Sequence, residues 1–167
     1  QQANLRKNIT EEEAESQGFL MAEYDLPFLT LLQSSSPGII AKDGNRVVAY
    51  SLVALPDTAR RHALLADLVE NIERCLFEGK PVENYAIVAQ LCVSKEYRGQ
   101  DLVQRLYGAF RDHYAGRYDF CVTDVAQANA RSLKAHQKRG FQVIDTLNYG
   151  GIAWDIVLWD WNKKSAS

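Results

Sequence analysis

Arg98 and Gly99 stand between a run of strand-forming residues, AIVAQLCV, and the apolar stripe Leu102, Val103, Leu106, Tyr107 and Phe110 of a helix. A strand, a tight turn and a helix start make an anion site. The first turn of a helix leaves backbone N–H groups without intrahelical partners and carries partial positive charge, and the two together hold phosphates. Gly99 allows a tight turn and close approach of a ligand. Arg98 offers a forked pair of hydrogen bonds. The same residues also suit a plain strand-to-helix connection with a surface arginine. Asp101 sharpens the choice. It sits at the N-cap position, where a carboxylate contributes about 1 kcal/mol. Facing a phosphate at about 4 Å it would cost ~1 kcal/mol in water and ~4 kcal/mol at an effective dielectric near 20. The loop works as an anion site if Asp101 turns into its own helix cap.

A second set of polar residues lies in NARSLKAHQKRGF, residues 129–141. On a helix Asn129, Ser132 and His136 share a face. They line a cleft or form a solvated face. Lys134, Lys138 and Arg139 suit the C-terminal end of the helix dipole.

The elements that position these residues follow from the pattern. Thr10 and Glu13 form a capping box for a helix from Glu11 to Gly18. Asp25 and Pro27 open another over LPFLTLLQ. GIIAK, DGN and RVVAYSLVAL predict an antiparallel hairpin. ARRHALLADLVENIERCLF has helical periodicity and ends by Gly79 and Pro81. YAIVAQLCV predicts a central strand, followed by a helix from about Asp101 to Tyr114, the strand YDFCVTDV, and a helix over 129–139 closed by Gly140. FQVIDTLNY and IAWDIVLWDW predict a closing hairpin around Gly150 and Gly151. The chain has 167 residues, which suits one domain over 1–167, with 162–167 a frayed polar tail.

Composition narrows the function classes. The hydrophobic fraction is 47%, the charged fraction 24% and the net charge -2, so no basic surface calls for nucleic acid. No apolar run is long enough for a membrane span. Cys75, Cys92 and Cys121 read as core residues of a reducing, cytoplasmic compartment, with no disulfide frame and no metal site. The NIT sequon at residues 8–10 has no other sign of secretion beside it. Along AWDIVLWDW both strand faces carry apolar residues, including Trp154, Trp159 and Trp161, which suggests contacts on both sides and a possible homodimer.

In order and spacing, QLCVSKEYRGQDL, a strand and then NARSLKAHQKRGF resemble the GNAT superfamily of acyl-CoA-dependent N-acyltransferases, with the element order matching over roughly residues 39 to 160. The resemblance implies an α/β fold with a mixed, mostly antiparallel sheet and one splayed parallel pair, here the strands around 87–93 and 118–125. Acetyl-CoA would lie in the splay as co-substrate. The backbone of Leu91, Cys92 and Val93 would pair with its pantetheine arm. The loop Arg98, Gly99, Gln100, Asp101, Leu102 and Val103 would hold its pyrophosphate. Asn129 and Ser132 match residues that reach the cofactor arm. His136 stands where many members carry a tyrosine that protonates the leaving thiolate, and it would act as that acid or line the cleft. Asp101 and Val103 replace small residues of the family loop. The segment QQANLRKN looks like the inside of the family's first helix, without the strand that usually precedes it.

The reaction implied is direct attack of an amine, on a small molecule or a peptide, upon the acetyl thioester, with the Val93 N–H polarising the carbonyl. The central strand has Gln90 where members often carry a glutamate, so the base falls to Glu83, or to Glu70, Glu73 or His62. Tyr149 is a second candidate acid. The segment from Pro56 to Pro81 would cover the acceptor side and select the amine. The departures at Asp101, Gln90 and His136 also fit a second reading, a catalytically degenerate module of the same fold that binds CoA or another ligand as a sensor or assembly partner.

Overall fold

The computed structural model describes residues 1–17 and 19–163. Gly18, the expected helix end, and tail residues 164–167 lie outside the described residues. Asn162 and Lys163 are tied down: the Asn162 amide donates to Asp160, its side chain donates to Asp119 at 3.1 Å, and Lys163 pairs with Glu78.

Six strands form one sheet: β1 (Ile39–Asp43), β2 (Arg46–Ala54), β5 (Tyr85–Val93), β6 (Phe120–Ala126), β7 (Gln142–Tyr149) and β8 (Ile152–Asp160). Their order is β1-β2-β5-β6-β8-β7. Every neighbouring pair is antiparallel except β5 and β6. This is the mixed α/β architecture expected. Helices α1 (Glu11–Gln17), α2 (Leu26–Ser35), α3 (Pro56–Ala59), α4 (Ala63–Ile72), α5 (Leu102–Tyr114) and α6 (Ala130–Arg139) flank the sheet.

Local chemistry sets the helix ends. Asp25 caps α2 by accepting from the Phe28 amide at 2.8 Å. α5 buries Leu102, Leu106, Tyr107, Phe110 and Tyr114, a three-and-four spacing that lays one stripe on the sheet. Gly140 ends α6 at φ 106°, in the left-handed region, and its amide bonds back to the Gln137 carbonyl.

The long helix expected from Ala59 to Phe77 is broken. α3 stops at Ala59, and His62 is extended (φ -125°, ψ 126°) before α4 begins. The His62 ring packs against Tyr24 and Phe28, with centroids 4.9 and 5.0 Å away, and that contact turns the chain. After α4, Leu76–Phe77 (β3) and Lys80–Pro81 (β4) pair as a small hairpin. Its two loop residues, Glu78 (φ 52°) and Gly79 (φ 78°), both have positive φ, as a tight hairpin turn requires. Residues 2–4 and 6–8 are 3-10 turns, with Leu5 bridged to Leu20, so QQANLRKN is not the inside of a helix.

Two cores share the sheet. Tyr24, Phe28, Leu65, Leu68, Ile87, Val122, Trp154, Ile156 and Leu158 pack on the face covered by α2 and α4. Ala86, Val88, Tyr107, Phe110, Cys121, Val157, Trp159 and Trp161 pack on the α5 face. Both apolar faces of β8 are therefore covered within the chain. Trp154 and Trp159 of β8, and Trp161 just past its end, are at most 6% exposed, which removes the reason for expecting a partner chain there. Among the described residues no helix is long and apolar enough to cross a membrane.

Candidate active site

The site begins where β5 and β6 part. Tyr85 lies opposite Phe120, Ala86 opposite Cys121 and Ile87 opposite Val122, and the pairing stops there. On the other side of β5, Leu52 of β2 faces Gln90 while Val53 faces Val88. Ala89 is thus an extra residue, a bulge, which bends and twists a strand. The bulge coincides with the point where β5 leaves β6. It also resets the side-chain alternation. Tyr85 and Ile87 face the α2–α4 core and Ala86 and Val88 face α5, yet beyond the bulge Leu91 and Val93 pack on the α5 side. Gln90 and Cys92 are thereby turned to the opposite face. The Thr123 hydroxyl donates to the Val88 carbonyl at 2.8 Å, and Tyr24 Oη donates to the Ala89 carbonyl at 2.8 Å.

A cavity of about 480 Å³ occupies the gap. Leu91, Cys92 and Val93 line it, and β6 does not pair with this stretch of β5. Pantetheine, an extended amide chain, fits such an unpaired strand edge. At the head of α5, Gly99 (φ 80°) and Asp101 (φ 59°) both adopt the left-handed backbone. Residue 101 has the conformation glycine takes most readily, and aspartate is one of the few other residues that tolerate it. The expected cap is not made. The Asp101 side chain accepts from none of the first amides of α5. The Asp101 carboxylate instead accepts from Lys138 Nζ at 3.3 Å. The helix amides are left for another acceptor, and the lysine offsets the charge of the aspartate. Arg98 donates through Nη2 to Asn4 Oδ1 at 2.6 Å. Leu102 and Val103 line the cavity, whereas the exposed Gln100 turns to the Glu96 carbonyl and does not.

Asn129, Ser132 and His136 come together on the cleft wall, as their spacing predicts. Asn129 is held at both ends, with one N–H and one lone pair left over: Oδ1 accepts from the Ser132 amide at 3.2 Å, and Nδ2 donates to the Phe19 carbonyl at 3.2 Å. His136 is buried. Its Nδ1 lies 2.7 Å from the Ser132 carbonyl, which can only accept, so Nδ1 carries the proton. Nε2 then accepts from Tyr107 Oη at 2.6 Å. Burial holds its pKa down at about 4. A neutral imidazole with its one N–H committed has no proton for a thiolate, so in this conformation His136 fits the second of its two expected roles, lining the cleft.

The other expected catalytic groups are displaced. Glu83 is exposed and precedes β5 at the end where β5 and β6 are still paired, outside the cleft. Glu73 pairs with Arg60, and Glu70 lies 3.9 Å from Arg74 on the surface. Tyr149 ends β7 and lines a second cavity of about 250 Å³ with His62 and Glu23. It is not in the main cleft. The two cavities share Met21, Ala22, Leu64 and Trp154, so Tyr149 stands on the adjoining cavity at that end of the cleft.

Sequence reading missed Asp124. It follows Thr123 on β6 and lines the main cleft. Burial, with Asp67 of α4 adding a like charge, pushes its carboxyl up to about 7. The missed signal was an acidic residue inside the apolar strand FCVTDV, a placement that is costly without a partner.

A bulged strand parted from a parallel neighbour, above a helix whose first amides are uncapped, defines an acyl-CoA-binding acyltransferase fold. The sequence agrees. Residues 5–141 match the acetyltransferase (GNAT) family, and the chain belongs to that family. No curated protein matches the chain. Among solved structures it is similar to the NatC complex bound to Gag peptide and CoA (TM-score 0.62, 12% identity, 90% of this chain and 87% of that chain). It is also similar to the ribosomal-protein-S18-alanine N-acetyltransferase from Escherichia coli (TM-score 0.53, 14% identity, 77% and 70%). A third is an acetyltransferase from Salmonella typhimurium with its cofactor acetyl-CoA (TM-score 0.52, 14% identity, 78% and 67%). Likeness at these identities is likeness of fold.

Proposed function

We propose that this acetyltransferase moves an acetyl group from acetyl-CoA to a primary amine of a small molecule or a peptide by direct attack. The observation that carries this reading is the parted edge of β5 beside the uncapped start of α5. The pantetheine arm adds to the edge of β5 at Leu91, Cys92 and Val93. The pyrophosphate rests on the amides at Gly99, Asp101, Leu102 and Val103, with Arg98 and Lys138 at its flank. Asn129 and Ser132 contact the arm from α6. The Val93 N–H polarises the thioester carbonyl, and orientation of amine against thioester supplies most of the rate.

The acceptor enters from the opposite face, past Phe19, Met21, Leu64 and Trp154, which line the cleft there. Within Pro56–Pro81, Leu64 and His62 reach the two cavities, which supports the idea that this segment selects the amine. Neighbours that carry a peptide or act on a ribosomal protein support a peptide acceptor.

The test is CoA release from acetyl-CoA with a panel of amines: arylalkylamines, aliphatic diamines and short peptides with free N-termini. Transfer to at least one class, lost or redirected by Leu64→Glu without a matching loss of acetyl-CoA affinity, is expected. Binding of acetyl-CoA with no transfer and no slow thioester hydrolysis would move the protein to the sensor reading.

A further inference from the structure

We infer that Asp124 is the catalytic base: its carboxylate holds the acceptor's ammonium group and takes its proton. This rests on the acetyl-transfer reading above.

Position comes first. Phe120, Val122 and Ala126 of β6 pack into the α2–α4 core, while Cys121 and Val125 pack on the α5 side. Alternation puts Asp124 with the first set, on the face where Gln90 has been turned by the bulge. It lies just past Thr123, whose hydroxyl caps the last β5 carbonyl before the gap. Asp124 is therefore on the acceptor face at the mouth of the splay, and it lines the cavity. Second is the lack of a partner. Among the described residues no lysine, arginine or histidine forms an ion pair with Asp124. The charged and titratable groups that face it are Asp67 from α4 and the Tyr24 phenol ahead of α2, itself pushed up by burial and by Asp124. The β5 neighbour on this face, Gln90, is neutral, and the β8 residue opposite it is Ile156. A carboxylate among an apolar wall, a like charge and a phenol calls for a cation, and the acceptor in its resting form is an ammonium ion.

Proton balance follows. Asp124 takes one proton from R–NH3⁺ and becomes a neutral carboxylic acid. The freed nitrogen lone pair forms the C–N bond to the acetyl carbon as the C–S bond breaks. The nitrogen's second proton goes to the departing CoA thiolate, and the proton on Asp124 returns to solvent. The upward-shifted carboxyl matches a base that works near neutrality. The basic residues of the cleft, Arg98, Arg131 and Lys138, lie in the α5 loop and α6. Among the described residues that line the cleft, no lysine or arginine comes from β5, β6 or α4, the elements around Asp124. The acceptor class is a monocationic amine on an apolar group, not a free α-amino acid.

The experiment uses benzylamine as probe, with glycine as the zwitterionic control, in wild type, Asp124→Asn and Asp67→Asn. Carbon-13 NMR of labelled aspartate carboxylates follows titration without turnover. Expected are one aspartate signal titrating near pH 7 that is missing in Asp124→Asn, and a rise of kcat/KM through the same pH. Asp124→Asn should lose about 100-fold or more with acetyl-CoA affinity kept. In Asp67→Asn both the NMR titration and the rising limb should move to lower pH. An unchanged rate in Asp124→Asn, a limb that ignores Asp67, or acetyl-CoA binding without turnover of benzylamine would each overturn the assignment. Failure to bind acetyl-CoA would instead overturn the reading beneath it.

Discussion

Tyr107 Oη and His136 Nε2 lie 2.6 Å apart, both buried, and join α5 to α6 at the wall of the cleft. The bond fixes the imidazole as neutral, since the phenol donates and the Ser132 carbonyl takes the other N–H. Tyr107→Phe would leave Nε2 unsatisfied in an apolar wall. That costs about 1–3 kcal/mol and should appear as a lower denaturation midpoint in urea.

Two groups in the site titrate in opposing senses. His136 has its folded pKa near 4, below the unfolded value, so it contributes stability above about pH 6.5 that is lost as pH falls through 4. Asp124 has its folded pKa near 7, above the unfolded value, so its contribution is full below about pH 4 and lost as pH rises through 7. Between about pH 4 and 6.5 the two slopes offset. Asp124→Asn should expose the histidine slope alone, with stability falling on acidification across that window. The same substitution should raise stability at pH 8, where a partly desolvated charge with no ion pair among the described residues is removed. Urea unfolding at pH 4.5, 6.5 and 8 checks both signs.

Gln90 cannot be turned into the glutamate its position suggests. Its Oε1 accepts from Tyr50 Oη at 2.7 Å, and its Nε2 donates to the Ala22 carbonyl at 2.8 Å. Gln90→Glu would set a carboxylate against that carbonyl and remove the donor. The expected result is a loss of about 1–3 kcal/mol in stability with no gain in transfer rate. A faster enzyme would show that the base belongs on β5.

Asp101→Gly should change acetyl-CoA affinity by less than about fivefold. The carboxylate is solvent-screened and offset by Lys138, so removing it relieves ~1 kcal/mol or less, and glycine keeps the left-handed turn. A gain of a hundredfold in a titration would mean that the aspartate faces the phosphate.

How far the sequence could be read differs between the two faces of the site. The α5 stripe, the Arg98–Gly99 turn and the shared face of Asn129, Ser132 and His136 are local patterns, and local spacing determines them. The acceptor face is not local. It depends on Ala89, an extra residue that no composition rule marks, which turns Gln90 and parts β5 from β6. Only then does Asp124, in a strand buried on both sides, meet a cleft. His62 shows the same limit: its helical periodicity was overridden by packing against Tyr24 and Phe28. Gly79 and Pro81 were legible as the end of a helix, but the two-residue strands around Glu78 and Gly79 were too short to carry a pattern.

The most direct test of the account is calorimetric titration of acetyl-CoA into the wild type and into Arg98→Ala. The account predicts one site per chain in the wild type and at least tenfold weaker binding in the variant, as expected for loss of a charged hydrogen bond to phosphate of about 1.5–3 kcal/mol. Absence of binding in the wild type, restored by Asp101→Gly, would contradict it, since the loop at the head of α5 would then be a cofactor site switched off by its own aspartate.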